Sequence, residues 1–208
     1  MSNSTDTQSP ALLDLASLQQ LQEIHRRLAS GYHISEQDLP LWQSLTSQPE
    51  AFDALFSALG YQLVADVRGF FYFAGSDNTP YMGKTARRFA LIVYALVEWF
   101  ADAGRDPVAA LLEETLDRSH CTELLKRHKG LFEALEITTA QELEEQVLRR
   151  LVRFGFARES AAGVQLLAPI QRFIDAVLEL GQADDNSSGD DNSELPLAPL
   201  DDEELINA

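Results

Sequence analysis

One stretch of the chain resembles a phosphate-binding loop. Asn78 to Thr85 reads NTPYMGKT, and its Gly-Lys-Thr end is typical of the loop that joins a strand to a helix around a nucleotide. The loop also needs a glycine five residues before Gly83, and this chain has Asn78 there. No convincing acidic partner for Mg²⁺ follows on a buried strand. The pattern therefore disfavours nucleotide binding. A nucleotide hydrolase that depends on Lys84 is the least favoured of three functional hypotheses, and the other two follow from the features below.

A second group could bind a metal or act as a nucleophile: His120, Cys121 and His128. The two histidines are eight residues apart, whereas zinc ligands on one helix usually lie at i and i+4. Catalysis by Cys121 would need an activating base, and none is indicated. We expect a surface histidine, a small buried cysteine, no metal, no cofactor and no enzymatic activity.

A third group is basic and could contact DNA phosphates. The candidate residues are Arg149, Arg150, Arg153, Arg158, Lys84, Arg87 and Arg88. In a winged helix, a helix end followed by a hairpin is the surface that meets the phosphate backbone. The alternative is an ordinary solvated helix face, because Arg149 and Arg153 lie opposite the apolar stripe of their helix. Glu145 and Arg149 are also spaced for an i, i+4 ion pair.

The elements that would position these residues begin with helices. Apolar residues at spacings of three and four predict a helix over 12–28, which Gly31 ends. Tyr32 to Ile34 can form a short strand, and Ser35 to Asp38 resembles a helix start. Two more helices follow, the second running from Pro49 to Gly60.

A hairpin over Tyr61 to Phe73 closes this first half. Arg68-Gly69 is predicted to be its two-residue turn, because glycine accepts a positive φ. The second strand is entirely aromatic and carries one nearby cation, Arg68. We therefore expect it to be covered on both faces, which makes it a candidate protein interface rather than a DNA-reading wing. The interface candidates are Phe70, Phe71, Tyr72 and Phe73.

The second half repeats the order of helices and hairpin. Thr85 is predicted to cap a helix that is apolar on nearly every side from Phe89 to Phe100, and Asp106-Pro107 begins another. A capping box at Thr139 starts a helix that ends near Phe154. The second hairpin, joined around Gly163, and an amphipathic helix after Pro169 follow.

Charge and composition limit the class of protein. The net charge is −17, and residues 182–208 hold nine acidic and no basic side chains. A self-sufficient DNA-binding domain would be basic, so we expect only weak DNA contact. One cysteine fits a reducing cytoplasm. The N-terminus is not a signal peptide, and the most apolar window is too short to span a bilayer, so we expect no membrane contact.

These patterns predict a mostly α protein with small β hairpins, organised as tandem winged-helix domains. The predicted boundaries are a disordered N-terminus at 1–10, a first winged-helix domain at 11–75 and a linker at 76–84. A second winged-helix domain at 85–180 includes the final amphipathic helix, and an acidic tail at 181–208 is predicted to be disordered alone. Leucines near the end of the tail could form a short docking motif, although a solubilising role is the simpler interpretation.

Two segments resemble one known family. GYHIS at 31–35 and YQLVADVRGFFYFAG at 61–75 are similar to the G-x-H-I segment and the wing hairpin of the MksE/MukE family. These proteins are accessory subunits of bacterial SMC condensins of the MksBEF and MukBEF type. The similarity extends, more weakly, over roughly residues 10–180, and the length is closer to MksE.

The resemblance implies a kite protein with two winged-helix domains that forms homodimers and binds an extended segment of a kleisin. The kleisin, of the MksF/MukF type, would connect it to the SMC ATPase, of the MksB/MukB type. No catalytic or kleisin-contact residue is implied. The expected role is chromosome organisation or plasmid defence at the nucleoid. The alternative is a dimeric winged-helix transcription regulator that uses Arg149, Arg153 and Arg158 on DNA.

Overall fold

The computed structural model describes residues 17–75 and 84–175. Helices and two small antiparallel sheets make up this part of the chain. In the first half, the elements are α1 (Leu21–Ala29), β1 (Ile34–Ser35), α2 (Leu39–Ser47), α3 (Pro49–Ala58), β2 (Leu63–Asp66) and β3 (Phe70–Phe73). The terminal segments, residues 76–83 of the linker predicted at 76–84, and the acidic tail lie outside the described residues.

Helix α1 is shorter than the apolar spacing predicted. Gln20 has a left-handed φ of 59°, so the helix begins at Leu21, and the prediction of one helix starting at residue 12 was wrong within the described part. The predicted end is confirmed. Gly31 has φ 79°, and the N–H of Tyr32 donates to the carbonyl of Arg27 at 3.0 Å, which closes the last turn.

The first sheet has the strand order β1-β3-β2. The hairpin is confirmed, but its predicted two-residue turn was wrong, because Val67, Arg68 and Gly69 all separate the paired residues Asp66 and Phe70. Gly69 has φ 88°, the left-handed geometry that ends a three-residue loop. Phe71 lies in the core formed with α1, α2 and α3.

The second half contains more helices. Its elements are α4 (Lys84–Asp102), α5 (Pro107–Glu113), β4 (Thr115–Leu116), α6 (Arg118–Arg127), α7 (Lys129–Ala134), α8 (Ala140–Leu143), α9 (Arg149–Arg153), β5 (Ala157–Ser160) and β6 (Gly163–Leu166). The strand order β4-β6-β5 repeats that of the first sheet. In each sheet, the second strand of the hairpin is the central strand. It pairs on one side with the first strand of the hairpin and on the other with a two-residue strand that lies between two earlier helices.

The helix before the second hairpin changes pitch in its middle. Glu144–Leu148 form a π-helical turn between α8 and α9, and they make the three segments one continuous helix. The predicted capping box is confirmed: Thr139 Oγ1 accepts the N–H of Glu142 at 3.2 Å, and Glu142 Oε2 accepts the N–H of Thr139 at 3.0 Å. The stripe of Leu143, Val147 and Leu151 is fully buried.

Helix α4 lies at the centre of the second core. Phe89, Ala95 and Leu96 are completely buried there, as the all-round apolar pattern predicted. Thr85 was predicted to cap this helix, and that prediction was wrong. The residue lies inside the helix and is 4% exposed. Within residues 17–75 and 84–175, no helix has the length and apolar character needed to cross a membrane.

The two halves touch through the segment between α1 and β1. The N–H of His33 donates to the carbonyl of Phe154 at 2.9 Å. Gly155 follows with φ 75°, and a Cβ atom there would overlap the carbonyl oxygen of His33 and lie 3.1 Å from the ring of Tyr32. Glycine at this position therefore serves both the end of α9 and the close approach of the other half.

Candidate partner and nucleic-acid surfaces

Two of the predicted DNA-contacting arginines point to solvent. Arg149 and Arg153 are exposed on α9, and in the described part of the chain Arg153 forms no ion pair. The expected pair between Glu145 and Arg149 is not formed. Glu145 accepts a hydrogen bond from Gln141 at 3.0 Å instead, and Arg149 interacts electrostatically with Glu144. These two cations and Arg158 are the exposed members of the candidate cluster.

The other two arginines of this cluster hold elements together. Arg150 is half-buried, and its Nη1 donates to Thr85 Oγ1 of α4 at 3.3 Å. Arg158 donates twice to Gln165 Oε1, at 3.1 and 2.7 Å, and its Nη1 reaches Gln37 Oε1 of the first half at 3.0 Å. Contact with a phosphate would compete with these internal hydrogen bonds.

The second cluster lies along the start of α4. Lys84 is the first residue of the helix, and Arg87 is exposed one turn later. Arg88 is half-buried and donates to the carbonyl of Leu135 at 3.4 Å, while its Nε is buried without an acceptor. The structure therefore exposes Arg87 and places Arg88 in the packing of α4 against the turn after α7.

A groove of about 380 Å³ lies between the long helix and the second hairpin. Its charged side chains are Arg118, Arg149, Asp117, Glu144 and Glu159. Arg118 is already engaged: its Nε lies 2.8 Å from Glu144 Oε1, and this hydrogen bond holds the pKa of Glu144 below its usual value. Three carboxylates against two guanidinium groups make the groove unfavourable for tight phosphate binding.

The aromatic strand β3 is largely occupied by contacts within the chain. Phe70 is 1% and Phe71 is 6% exposed. Phe73 is half-buried and stacks on Tyr61, with ring centroids 4.6 Å apart. The half-buried ring of Tyr72 lies under Arg172, whose guanidinium carbon is 3.7 Å from the ring centroid. The residues that can still reach a partner from this strand are therefore Tyr72 and Phe73, each with part of its surface.

The contact between His33 and Arg172 was not expected from the sequence. His33 is 3% exposed and packs against Phe156 of the second half, with ring centroids 4.2 Å apart. Arg172 Nη1 donates to His33 Nε2, which must be unprotonated to accept. Burial, followed by the positive charge of Arg172, moves the pKa of His33 well below its ordinary value. The imidazole is therefore neutral and joins the two halves.

The residues considered for metal binding or nucleophilic catalysis have other contacts. Cys121 is 1% exposed, and burial raises the pKa of its thiol to about 12, so it is not a thiolate near neutral pH. His120 Nδ1 lies 2.7 Å from Asp117 Oδ1, and His128 Nδ1 lies 3.6 Å from Glu98 Oε2. Within residues 17–75 and 84–175, no group of three or more His, Cys, Asp or Glu could hold a metal ion.

The described structure therefore defines a mostly helical protein with two small antiparallel sheets of the same strand order. The comparison with protein families identifies the class more closely: residues 19–178 match the family model described as condensin complex protein MksE. The match covers well over half of the 208 residues, and the chain belongs to the MksE family of condensin complex proteins. No curated protein matches the sequence.

Proposed function

We propose that this chain is the kleisin-binding subunit of a bacterial SMC condensin and that it has no enzymatic activity of its own. The observation that carries the proposal is the family match over residues 19–178. The repeated strand order, in which a short strand pairs with the second strand of a later hairpin, supports two winged-helix domains at 11–75 and 85–180.

In this proposal the protein acts as a homodimer on an MksF-like kleisin, which connects it to an MksB-like SMC ATPase. The complex works at the nucleoid in chromosome organisation or plasmid defence. The half-buried rings of Tyr72 and Phe73 are the part of the aromatic strand available to a partner. DNA contact by this subunit is weak, because Arg149 lines a groove that also holds three carboxylates.

Co-expression with an MksF-like kleisin from the same genome tests the proposal. A tag on this chain is expected to retain the kleisin through size-exclusion chromatography, and a kleisin from an unrelated condensin is the control. If no stable complex forms when both chains are soluble and folded, the proposed function is wrong. Adding the coiled-coil ATPase then tests whether its recovery requires the kleisin.

A dimeric winged-helix transcription regulator is the second candidate. The exposed Arg149 and Arg153 at the end of the helix before the second hairpin favour it, because a DNA-reading helix has this place in a winged helix. A regulator binds its own site with an affinity on the order of 10 nM or tighter and discriminates strongly against other sequences. The condensin hypothesis instead predicts weak, sequence-tolerant binding that falls steeply with salt. Binding of the isolated protein to upstream and random DNA separates the two.

A further inference from the structure

The acidic tail and the exposed arginines of α9 carry complementary charges. Residues 182–208 hold nine acidic and no basic side chains, and the acidic run at 201–204 reads DDEE. Arg149 and Arg153 are exposed on α9, and Arg153 forms no ion pair in the described part of the chain. A segment of this charge is attracted to cations that lack a carboxylate partner.

Most other exposed cations already have such a partner. Each of the following lies within 4.0 Å of a carboxylate: Arg26, Arg105, Arg118, Lys126, Arg127 and Lys129. Arg149 interacts electrostatically with Glu144 but lies within ion-pair distance of no carboxylate in residues 17–75 and 84–175. The end of α9 is therefore the surface where an additional carboxylate gains most.

The tail begins near the end of α9. Arg172 donates to His33 Nε2, and the N–H of His33 donates at 2.9 Å to the carbonyl of Phe154, the residue that ends α9. Residues 176–200 connect this point to the acidic run, and a segment of that length can span up to about 80 Å. The length of the chain therefore allows the acidic run to return to α9.

The spacing of the charges also matches. Arg149 and Arg153 are four residues apart on one helix face, which corresponds to a rise of about 6 Å. In an extended segment, alternate side chains lie on the same side, about 6.6 Å apart. Two alternate carboxylates of the acidic run can therefore contact both guanidinium groups at once, in charge-assisted hydrogen bonds.

We propose that the acidic run at 201–204 binds Arg149 and Arg153 of the same chain and competes with DNA for them. The tail is then a tethered competitor, present at an effective concentration on the order of 1 mM. The contact is weak, because its ion pairs are exposed and Glu145, one turn before Arg149 on the same face, repels the run. This intrachain contact goes beyond the kleisin-binding role proposed above and does not depend on it.

A full chain with a neutral run tests the competition. The variant combines Asp201→Asn, Asp202→Asn, Glu203→Gln and Glu204→Gln. Its affinity for a short duplex of random sequence is expected to rise by roughly three- to tenfold at low salt, because each of two exposed ion pairs contributes a small factor. The gain is expected to shrink as the salt concentration rises, since salt screens exposed charges. Fluorescence anisotropy measures the affinity.

The same tail provides the matched control. A second variant changes the same number of charges outside the run, at Asp184, Asp185, Asp190 and Asp191, each to Asn. Its affinity for DNA is expected to change by no more than about twofold. Equal gains in the two variants would show that the tail acts only through the net charge of the protein, and the proposal would be wrong.

The arginines of α9 provide the second half of the test. In a chain that also carries Arg149→Gln and Arg153→Gln, neutralising the acidic run is expected to give no gain in DNA affinity. The two sets of changes are then coupled, as residues in contact are. A gain of the same size in this background would place the competition at another surface and reject the proposal.

Zero-length cross-linking tests the contact without DNA. A carbodiimide joins a lysine amine to a carboxylate where the two touch, so Arg153→Lys is expected to cross-link to residues 201–204, and mass spectrometry identifies the product. Lys126 and Lys129, which are exposed on α6 and α7, are internal controls and are expected to cross-link to the tail much less. Equal cross-linking of all three lysines would contradict a preferred site at α9.

A mixture of isotopically light and heavy chains shows whether the contact forms within one chain. Cross-linked peptides that carry a single label support the proposal, whereas peptides that carry both labels assign the contact to a second copy and overturn it. Kleisin binding is measured separately. Its loss would refute the proposed function and leave the tail contact in place, and absence of the cross-link would refute the tail contact and leave the condensin role intact.

Discussion

Gly155→Ala tests whether the two halves of the chain meet as described. Gly155 has φ 75°, a conformation that costs an L-amino acid about 1–2 kcal/mol. The added Cβ would also overlap the carbonyl oxygen of His33 and crowd the ring of Tyr32. Relieving that overlap requires movement of the backbone, at about 1–3 kcal/mol for an overpacked site. We therefore expect a loss of about 2–5 kcal/mol in the free energy of unfolding.

Gly104→Ala provides the matched control. Gly104 follows α4 with φ 71°, almost the same backbone geometry, but a Cβ atom added there would meet no other atom within 4 Å. This variant is expected to lose only the conformational term of about 1–2 kcal/mol. Urea unfolding followed by far-UV circular dichroism measures both free energies. Equal losses in the two variants would refute the close approach of Gly155 to the segment at His33.

Three further predictions concern charge and capping. His33 has a lowered pKa in the folded state, so its contribution to stability is complete above its ordinary pKa of 6.5 and is lost as the pH falls below it. The slope is at most about 1.4 kcal/mol per pH unit, and His33→Gln is expected to remove it in urea titrations between pH 7 and 5. Reversing Arg149 and Arg153 to Glu is expected to reduce the steepness of the slope of log DNA affinity against log salt concentration by about 2. The control Lys129→Glu is expected to leave this slope unchanged. If the double variant has the slope of the wild type, the exposed face of α9 contacts solvent and not DNA. Thr139→Ala is expected to cost about 1 kcal/mol in the free energy of unfolding, and a thermal midpoint equal to the wild type would contradict the cap.

The parts of the fold that could be predicted are those determined locally. Gly31 and Gly60 end their helices with φ 79° and 84°, and the capping boxes begin helices where the sequence indicated. These signals act within a few residues, and one sequence is sufficient to read them. Strand β4 was missed because Thr115 and Leu116 carry no strand signal of their own. They are extended because they pair with Gln165 and Val164.

The candidate surfaces depended on long-range contacts, which the sequence does not reveal. Helical periodicity placed Arg149 and Arg153 on the exposed face correctly, but it could not show that Arg150 reaches α4 or that Arg158 reaches Gln37. The sequence did not reveal the hydrogen bonds of His33, because their partners Phe154 and Arg172 lie more than a hundred residues away in the chain. The G-x-H-I segment of the family resemblance was the one available indication that this position matters.

The ion pair between Arg68 and Asp175 has a mechanical consequence. Asp175 Oδ2 lies 2.8 Å from Nη1 of Arg68, which lies in the loop of the first hairpin. Arg172, one helical turn earlier, is held by His33 and Tyr72, which also belong to the first half. Between these two residues Phe173 packs into the second core, so this one turn of helix contacts both halves at once. Tension on this segment would load both cores together, and neither half could move away from the other without breaking contacts of residues 172–175.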